Sequence, residues 1–479
     1  MGLGRRHSSA ISARRAERGA TLLWVGSMLV LLLGASAFAL DLGWLFLNGT
    51  RLQRAADSAS LAGVVNLPAF TAEARNDAED ATARNGFPII LNGQTTMTDT
   101  VLADNRYKVD LTTTVDTFFL RVLGFSQIDI FKTSTAEYIK PVRLGSPDNS
   151  FGDGTSDNFW AAINAQYTEK EQGDPYATRC INTPTSGAPR CSAGSFNSQF
   201  RDWGYFYVIE LGAGSSNLNV ELYDPRHYVD NNGNGISNPD DTSWMENFSP
   251  RFEDITFRLL EPDTTPFDPF DNPEVCQETF TATTNPSGSN QWTTLCTGST
   301  TVPGSLLPGM YLLHIPSPVW EGSSKFGIRA TVGSGATPRV YGLFDMSIHV
   351  NIVNDEAMPW LAEVRPEHEG KTFNLDIFDM GDNDGNAWFE VISPSGVASC
   401  SWTSDNGQSS GMGACHVDIS DRRFNNDWLF LTIPLDGYNC DITQPLGCWW
   451  RIRIHNEGQA HDRTTWKASI TGNPLRLVP

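Results

Sequence analysis

The sequence lacks the short cysteine and histidine motifs that hold catalytic metals or carry out thiol redox chemistry. None of its eight cysteines stands in a CxxC motif, and its eight histidines form neither HExxH nor HxH. Zinc sites and thioredoxin-like redox pairs usually need such spacing. The pattern therefore argues against a zinc enzyme and against a thiol oxidoreductase.

Positive charge is also scarce. There are 34 lysines and arginines against 55 acidic residues, for a formal net charge of −21. An acidic surface of this size repels phosphate backbones, so we expect no nucleic-acid partner. The same surface suits solubility or cation binding.

The eight cysteines all follow an N-terminal apolar run and fall into four sequence-adjacent pairs. An even number of cysteines on the exported side of a membrane indicates disulfides. The sequence alone leaves their connectivity open. We predict the local bridges Cys180–Cys191, Cys276–Cys296, Cys400–Cys415 and Cys440–Cys448.

The apolar run extends from Gly19 to Leu40 without a charged residue. About 20 apolar residues are what an α-helix needs to cross the hydrocarbon layer. Five arginines and one acid precede the run, so the positive-inside rule places residues 1–19 in the cytoplasm as a basic tail. We therefore expect a single-pass protein of the cell (inner) membrane, with a periplasmic or extracellular ectodomain.

A cleaved signal peptide is the alternative, because Ala35-Ser36-Ala37 has the form of a cleavage site. The run is longer than a usual signal core, and helical periodicity continues beyond it at Leu45, Leu52, Ala55, Ala59 and Ala62. These features favour a retained anchor helix over residues 20–66. Asp41, at its outer edge, is expected to reach water and to need no proton-relay role.

Three sequence pieces around the run occur in a fixed order. Arg18-Gly19-Ala20 precedes it, Asp41-Leu42-Gly43 closes it, and LQRAADSASLA follows at residues 52–62. This order resembles the N-terminal region of TadE/TadG-like Flp pilus-assembly proteins. The resemblance extends to about residue 138, through a small α/β segment that we assign to residues 67–144.

The resemblance implies a non-enzymatic, bitopic envelope protein of Flp/Tad-type pilus assembly. Its partners would be the membrane and other pilus-assembly or envelope proteins. Many larger TadG-like chains carry a von Willebrand A domain, but its DxSxS metal motif is missing here, because Asp345-Met346-Ser347-Ile348-His349 lacks the second serine. The alternative is a surface adhesin or glycan-binding protein on the same anchor.

The remainder of the chain divides into a linker and a β-rich region. Residues 145–203 are rich in Gly, Ser, Asn, Asp and Pro, which predicts a loop-rich linker with a short helix near Asn158–Gln166. Short runs of alternating apolar and polar residues then predict strands. The predicted class is a membrane-anchored α+β protein with all-β sandwich domains.

A weak tandem repeat sets the predicted boundaries of two sandwiches, residues 204–351 and 352–479. Its landmarks, in matching order, are Leu218–Asp224 with Phe373–Asp379, Phe257–Pro262 with Phe389–Pro394, Tyr311–Pro316 with Trp428–Pro434, and Phe326–Arg329 with Trp450–Arg453. A cysteine pair follows the second landmark in each copy.

Two turns of the repeat are candidate calcium sites. In residues 230–241, oxygen side chains occupy positions 1, 3, 5, 9 and 12 with glycine at position 6, as in an EF-hand loop. The residues are Asp230, Asn232, Asn234, Asn238 and Asp241. The turn of the second copy offers Asp379, Asp382 and Asp384. A solvated Asn/Gly turn is the alternative, and we expect no cofactor other than structural calcium.

We predict no catalytic residue. Residues 407–411 formally fit GxSxG around Ser409, but they lie inside the predicted Cys400–Cys415 loop with no helix after them. Several tryptophans could form a sugar-binding platform or, more often for such residues, part of the core. They are Trp244, Trp320, Trp402, Trp449 and Trp450.

Overall fold

The computed structural model describes most of the chain. The described residues are 10–90, 93–152, 159–164, 166, 176, 180–181, 195–196, 199–224, 254–266, 268–281, 291–296, 300–318, 323–352, 354–380, 385–405, 407, 409–424, 427–458 and 460–478. They form two compact units, one of residues 1–138 with 475–479 and one of residues 139–474.

The first two described elements are helices, α1 Ala10–Val64 and α2 Thr71–Arg84. In α2, alanines spaced three or four residues apart are buried, as expected for one face of a helix. The helix ends at Asn85-Gly86, where Gly86 adopts a φ of 91° and its N–H bonds the carbonyl of Ala83. A left-handed glycine is a common helix stop, because it has no Cβ to clash.

Strands are the main elements after α2. In chain order they are β1 Thr95–Ala103, β2 Arg106–Asp116, β3 Gln127–Tyr138, β4 Ser150–Phe151, β5 Phe159–Asn164, β6 Cys180–Ile181, β7 Ser195–Phe196, β8 Tyr205–Leu211, β9 Ser216–Tyr223, β10 Ile255–Leu260, β11 Glu274–Phe280, β12 Trp292–Thr294, β13 Val302–Ser305, β14 Gly309–Ile315, β15 Ser323–Ser334, β16 Arg339–Gly342, β17 Asp345–Ile352, β18 Glu356–Ala357, β19 Trp360–Glu363, β20 Thr372–Phe378, β21 Ala387–Ser393, β22 Gly396–Val397, β23 Ser399–Ser404, β24 Ser410–Ala414, β25 His416–Asp418, β26 Trp428–Pro434, β27 Trp449–Asn456, β28 Ala460–Ile470 and β29 Leu475–Val478. The α+β class with one long N-terminal helix is confirmed.

The first unit is an antiparallel sheet, in the order β1-β2-β3-β29, packed against the C-terminal half of α1. Burial alternates along β2, as expected for a strand with one face on a core. The helix contributes small residues and one leucine to that core, all fully buried: Leu52, Ala55, Ala56 and Ala59. Small side chains let the helix backbone approach the sheet closely.

The last strand of the chain belongs to this first sheet. β29 pairs with β3 from Leu475 opposite Tyr138 to Val478 opposite Thr135. The Arg476 guanidinium donates to Glu137 Oε2 from Nε at 2.8 Å and from Nη2 at 2.6 Å. Residues 475–478 therefore lie outside the second sandwich to which the sequence assigned them, because β3 offers an open edge that they complete.

In the described part of the second unit, the strands form three large antiparallel sheets. The long sheet has the order β12-β9-β15-β5-β17-β28-β20-β26-β23-β24, with β13 beside β9 and β4 beside β15. A five-stranded sheet has the order β11-β10-β14-β8-β16. A six-stranded sheet has the order β18-β27-β21-β22, with β19 beside β27 and β25 beside β21. β6 and β7 form a separate pair.

Ring contacts show which sheets face each other. Phe257 of the five-stranded sheet lies 5.7 Å, centroid to centroid, from Phe326 of the long sheet. Phe373 of the long sheet lies 5.5 Å from Trp450 of the six-stranded sheet. Two β-sandwiches thus share the long sheet, and their buried residues form one continuous cluster. The predicted sandwiches are present, but they are joined by a common layer.

The segment predicted as a linker contributes to this shared sheet. The helix expected near Asn158–Gln166 is wrong, because Phe159–Asn164 forms β5, paired with β15 on one side and β17 on the other. Four of its six residues are buried apolar side chains, which a strand inside a sandwich accommodates on both faces.

Of the four landmark pairs named above, the first two agree with strand position. β9 and β20 both lie in the long sheet, and β10 and β21 both lie in the shorter sheets. In the third and fourth landmark pairs, the matched strands lie in different sheets. β14 lies in a shorter sheet while its sequence match β26 lies in the long one, and β15 and β27 are reversed in the same way.

Among the described residues, three disulfides close loops of the second unit, at the predicted pairs Cys276–Cys296, Cys400–Cys415 and Cys440–Cys448. Their Cα atoms lie 6.3, 5.1 and 5.2 Å apart, within the range that a disulfide spans. The predicted Cys180–Cys191 bridge stays a prediction, because Cys191 lies outside the described residues.

Candidate functional site at the membrane anchor

Within the described residues, one helix is long and apolar enough to cross a membrane. It covers Thr21–Val64, and its most apolar window has a mean hydropathy of 2.1 with none of its residues buried. The side chains of residues 21–40 are exposed almost without exception. Soluble monomers rarely expose a contiguous apolar surface of this size, so lipid is the medium that this run fits.

Asp41 closes the apolar run and fastens a distant turn to the helix. Its carboxylate accepts hydrogen bonds from three consecutive backbone amides, those of Phe118 at 2.8 Å, Phe119 at 2.8 Å and Leu120 at 2.6 Å. Asp41 itself is fully buried. The expectation that this carboxylate reaches water is therefore wrong: the chain supplies its donors.

Further hydrogen bonds hold the rest of α1 to its own unit. Gln53 donates to the carbonyl of Thr133 at 2.9 Å, and the hydroxyls of Ser60 and Ser134 lie 3.0 Å apart in a buried pair. Gln53, Asp57 and Ser60 all belong to the LQRAADSASLA stretch, and Gln53 also bonds Asp57 at 2.9 Å. The polar residues of this stretch thus connect the anchor helix to the sheet.

The predicted calcium residues lie mostly outside the part of the chain that the structure describes. Asp230, Asn232, Asn234, Asn238 and Asp241 are all outside it, as are Asp382 and Asp384. Asp379 is fully buried with a φ of 62°, and its N–H bonds the carbonyl of Asp427 at 3.1 Å. Among the described residues, no three His, Cys, Asp or Glu side chains are grouped to hold a metal.

The remaining candidates from the sequence lie in or beside the sandwich core. Ser409 precedes β24 in the hairpin from β23, where its carbonyl accepts the N–H of Ser404 at 2.9 Å. Trp449 and Trp450 are buried, and Trp402 is half-buried against the core. A sugar platform is therefore wrong for Trp449 and Trp450. Trp244 and Trp320 fall outside the described residues.

Sequence reasoning missed a buried ion-pair network in the second unit. Glu210 on β8 accepts from Lys140 Nζ at 2.7 Å and from Arg143 Nε at 2.9 Å. Arg143 also pairs with Glu363 on β19, and Tyr341 donates to Glu210 at 3.2 Å. No local motif identifies these residues, because 67 positions separate Arg143 from Glu210 and 220 separate it from Glu363.

The network fixes the charge state of Glu210. Burial alone would raise the pKa of this carboxyl group, but the charges of Lys140 and Arg143 and their hydrogen bonds lower it to about 2. The backbone of Leu144 also forms isolated bridges to Gly342 of β16 in the five-stranded sheet and to Ala362 of β19 in the six-stranded sheet. Residues 140–144 therefore connect the five-stranded and six-stranded sheets through backbone and side-chain hydrogen bonds.

Comparison with known proteins adds one finding to this geometry. No curated protein and no solved structure matches the chain. Residues 19–67 match the Tad family model of TadE/G-like Flp pilus-assembly domains. The match begins just after Arg18, includes the apolar run and Asp41, and ends three residues after α1. Residues 19–67 of this membrane-anchored chain are therefore similar to the TadE/G-like Flp pilus-assembly domain.

Proposed function

We propose that this chain is a bitopic envelope protein that serves Flp/Tad-type pilus assembly by binding other envelope proteins through its ectodomain. The observation that carries the proposal is the agreement between the matched segment, residues 19–67, and the anchor helix with its Asp41 connection. The segment that matches the family model is also the part that connects the membrane span to a folded unit.

Two independent features support an ectodomain outside the cytoplasm. Five arginines stand before the apolar run, and the positive-inside rule puts them on the cytoplasmic side. Three disulfides form among cysteines on the far side of the run, and disulfides persist in the periplasm and at the cell surface. Both features favour sandwiches on the exported face of the inner membrane.

An exposed aromatic cluster on the five-stranded sheet supports protein binding. Trp203 and Phe270 are both exposed, and their rings lie 5.8 Å apart. Phe270 also contacts Phe206 at 5.5 Å, and Phe206 stacks on His314 at 4.3 Å. Exposed aromatic rings held by their neighbours are typical of protein–protein contact sites. We propose this cluster as part of the partner-binding face.

The role that we propose is binding rather than catalysis. Ser409 lies in a hairpin between two strands, whereas a GxSxG nucleophile sits at a strand-to-helix turn. We also retain structural calcium as a proposal for the turns at residues 230–241 and 379–384. Calcium would raise the melting temperature of the purified chain above that measured with chelator; coincident melting curves would overturn it.

Deletion and complementation test the pilus role. Deleting the gene should abolish Flp pili, and wild-type complementation should restore them. Phe270→Ser should restore pili poorly, because it removes an exposed ring from the proposed contact face. Met412→Ser, which removes an exposed apolar side chain elsewhere in the same unit, should restore them fully. Normal pili in the deletion strain would refute the role; glycan-specific binding by the purified chain would favour an adhesin.

A further inference from the structure

The turn that Asp41 holds is unusually apolar on its outer side. Between β2 and β3, five large apolar side chains stand exposed within eight residues. Their exposed fractions are 55% for Phe118, 47% for Phe119, 84% for Val122, 72% for Leu123 and 60% for Phe125. Neighbouring Leu120 points inward and is buried. The turn therefore presents a concentrated apolar tip to its surroundings.

The position of this tip along the anchor is set by its contacts. Asp41 binds its backbone directly, and the ring of Phe118 lies 5.7 Å from that of Trp44, one helical turn further along α1. Residues 20–40 span about 30 Å as a helix, which is the thickness of the hydrocarbon core. The tip is thus held where the span leaves the hydrocarbon.

The backbone of the turn is suited to a medium that is poor in water. Within it, Val122 N–H bonds the carbonyl of Phe119 at 3.0 Å, Gly124 N–H bonds Arg121 at 3.1 Å, and Phe125 N–H bonds Leu120 at 3.2 Å. The amides of Phe118 to Leu120 are the ones that Asp41 accepts. Irregular backbone enters lipid only when its polar groups are paired, and the chain pairs these six amides of the turn.

The helix beside the turn shows the same apolar character beyond Asp41. Leu42, Phe46 and Leu47 are exposed, and Trp44 is half-buried beside Phe118. Aromatic rings at this level are typical of the belt that residues form at the headgroup boundary of a bilayer. Arg121, the charged residue of the turn, bonds the carbonyl of Thr117 at 3.0 Å and is exposed where phosphate groups would lie.

We propose that the Phe118–Phe125 turn inserts its apolar tip into the outer headgroup boundary of the same bilayer that α1 crosses. Lipid is the occupant because the exposed surface continues that of the membrane span without a break. The turn and the span then contact the membrane at two places, and the hydrogen bonds that Asp41 accepts connect them. The proposal depends on the membrane anchor but not on the role in pilus assembly.

The test places a nitroxide label on the turn of the full chain, reconstituted in vesicles of phosphatidylethanolamine and phosphatidylglycerol. Val122→Cys carries the label at the most exposed apolar position. Leu102→Cys is the matched control: it is an exposed apolar residue, 53% accessible, at the β1–β2 end of the same sheet. β2 separates the two turns by about 30 Å. Labelling of the unaltered chain measures the background from native cysteines.

Collisions with oxygen, which concentrates in lipid, and with a water-soluble nickel chelate distinguish the outcomes. We expect the ratio of oxygen to nickel collisions to be several-fold higher at position 122 than at position 102. Equal, water-like ratios at both positions would overturn the proposal. A label at position 122 that is shielded from both reagents would also overturn it, because a protein partner or a second copy would then cover the turn.

Discussion

The ion pairs of Glu210 predict a specific acid sensitivity in the second unit. Because the pKa of Glu210 is lowered below its ordinary value, the folded state favours the charged carboxylate. The resulting stability is fully present above pH 4.5, the ordinary value, and is lost as the pH falls towards about 2. Lowering the pKa from 4.5 to about 2 corresponds to about 3 kcal/mol of folding stability.

Glu210→Gln isolates this contribution because it removes the charge and keeps the shape. At pH 7 we expect the variant to be less stable than the wild type by about 3 kcal/mol. Between pH 4.5 and 2 the wild type should lose this part of its stability as Glu210 becomes protonated, whereas the variant has no carboxyl group at this position to protonate. The two stability curves should therefore converge in acid. Glu356→Gln, at an exposed carboxylate of the same unit, should run parallel to the wild type.

Urea unfolding of the full chain in a non-ionic detergent, followed by tryptophan fluorescence, measures the effect. Of the 14 tryptophans, only Trp24 and Trp44 precede residue 139, so the signal reports mainly on the second unit. Curves for wild type and Glu210→Gln that stay separated by the same amount down to pH 2 would refute the assignment. They would show that Lys140 and Arg143 do not favour the charged form of Glu210.

Two further predictions concern the first unit. Asp41→Asn replaces one carboxylate oxygen, an acceptor, with an NH2 donor that faces the three amides. Hydrogen exchange at Phe118–Leu120 should therefore accelerate by about tenfold or more. Unchanged exchange, measured by mass spectrometry, would refute the role of Asp41 in holding the turn. Gly63→Ala should destabilise the sheet by about 1–3 kcal/mol, because a Cβ there would lie 2.4 Å from the ring of Tyr107. Gly49→Ala in the same helix is the control, because its Cβ would make only ordinary contacts, the nearest at 3.7 Å. Equal hydrogen-exchange protection of β2 in both variants would contradict the close approach of Gly63 to Tyr107.

Some of this protein is predictable from short stretches of sequence. The anchor is predicted by the length of one uncharged run, and the three described disulfides join the cysteines that are nearest in sequence. Alternation of apolar and polar residues located strands such as β9 and β20. β5 was missed because both of its faces are buried, so it has no alternation for a pattern to detect.

The pairing of strands was harder to predict from the sequence than the strands themselves. The similarity of residues 311–316 to 428–434 is local, but β14 and β26 lie in different sheets. An alternating segment reports that one of its faces is buried and does not report which sheet receives it. The calcium turns were predicted from spacing alone, and spacing cannot show whether oxygen atoms converge on a point.

By itself, the sequence determined the membrane span, its family resemblance, the three described disulfides and the abundance of strands, since each depends on residues close together in the chain. Only the tertiary structure decided that Asp41 accepts the amides of a turn 77 to 79 positions away. Folding alone also brought β29 to the edge of β3 and Arg143 between Glu210 and Glu363. These contacts depend on which edges and charges the folded chain leaves to be paired, and no local pattern contains that information.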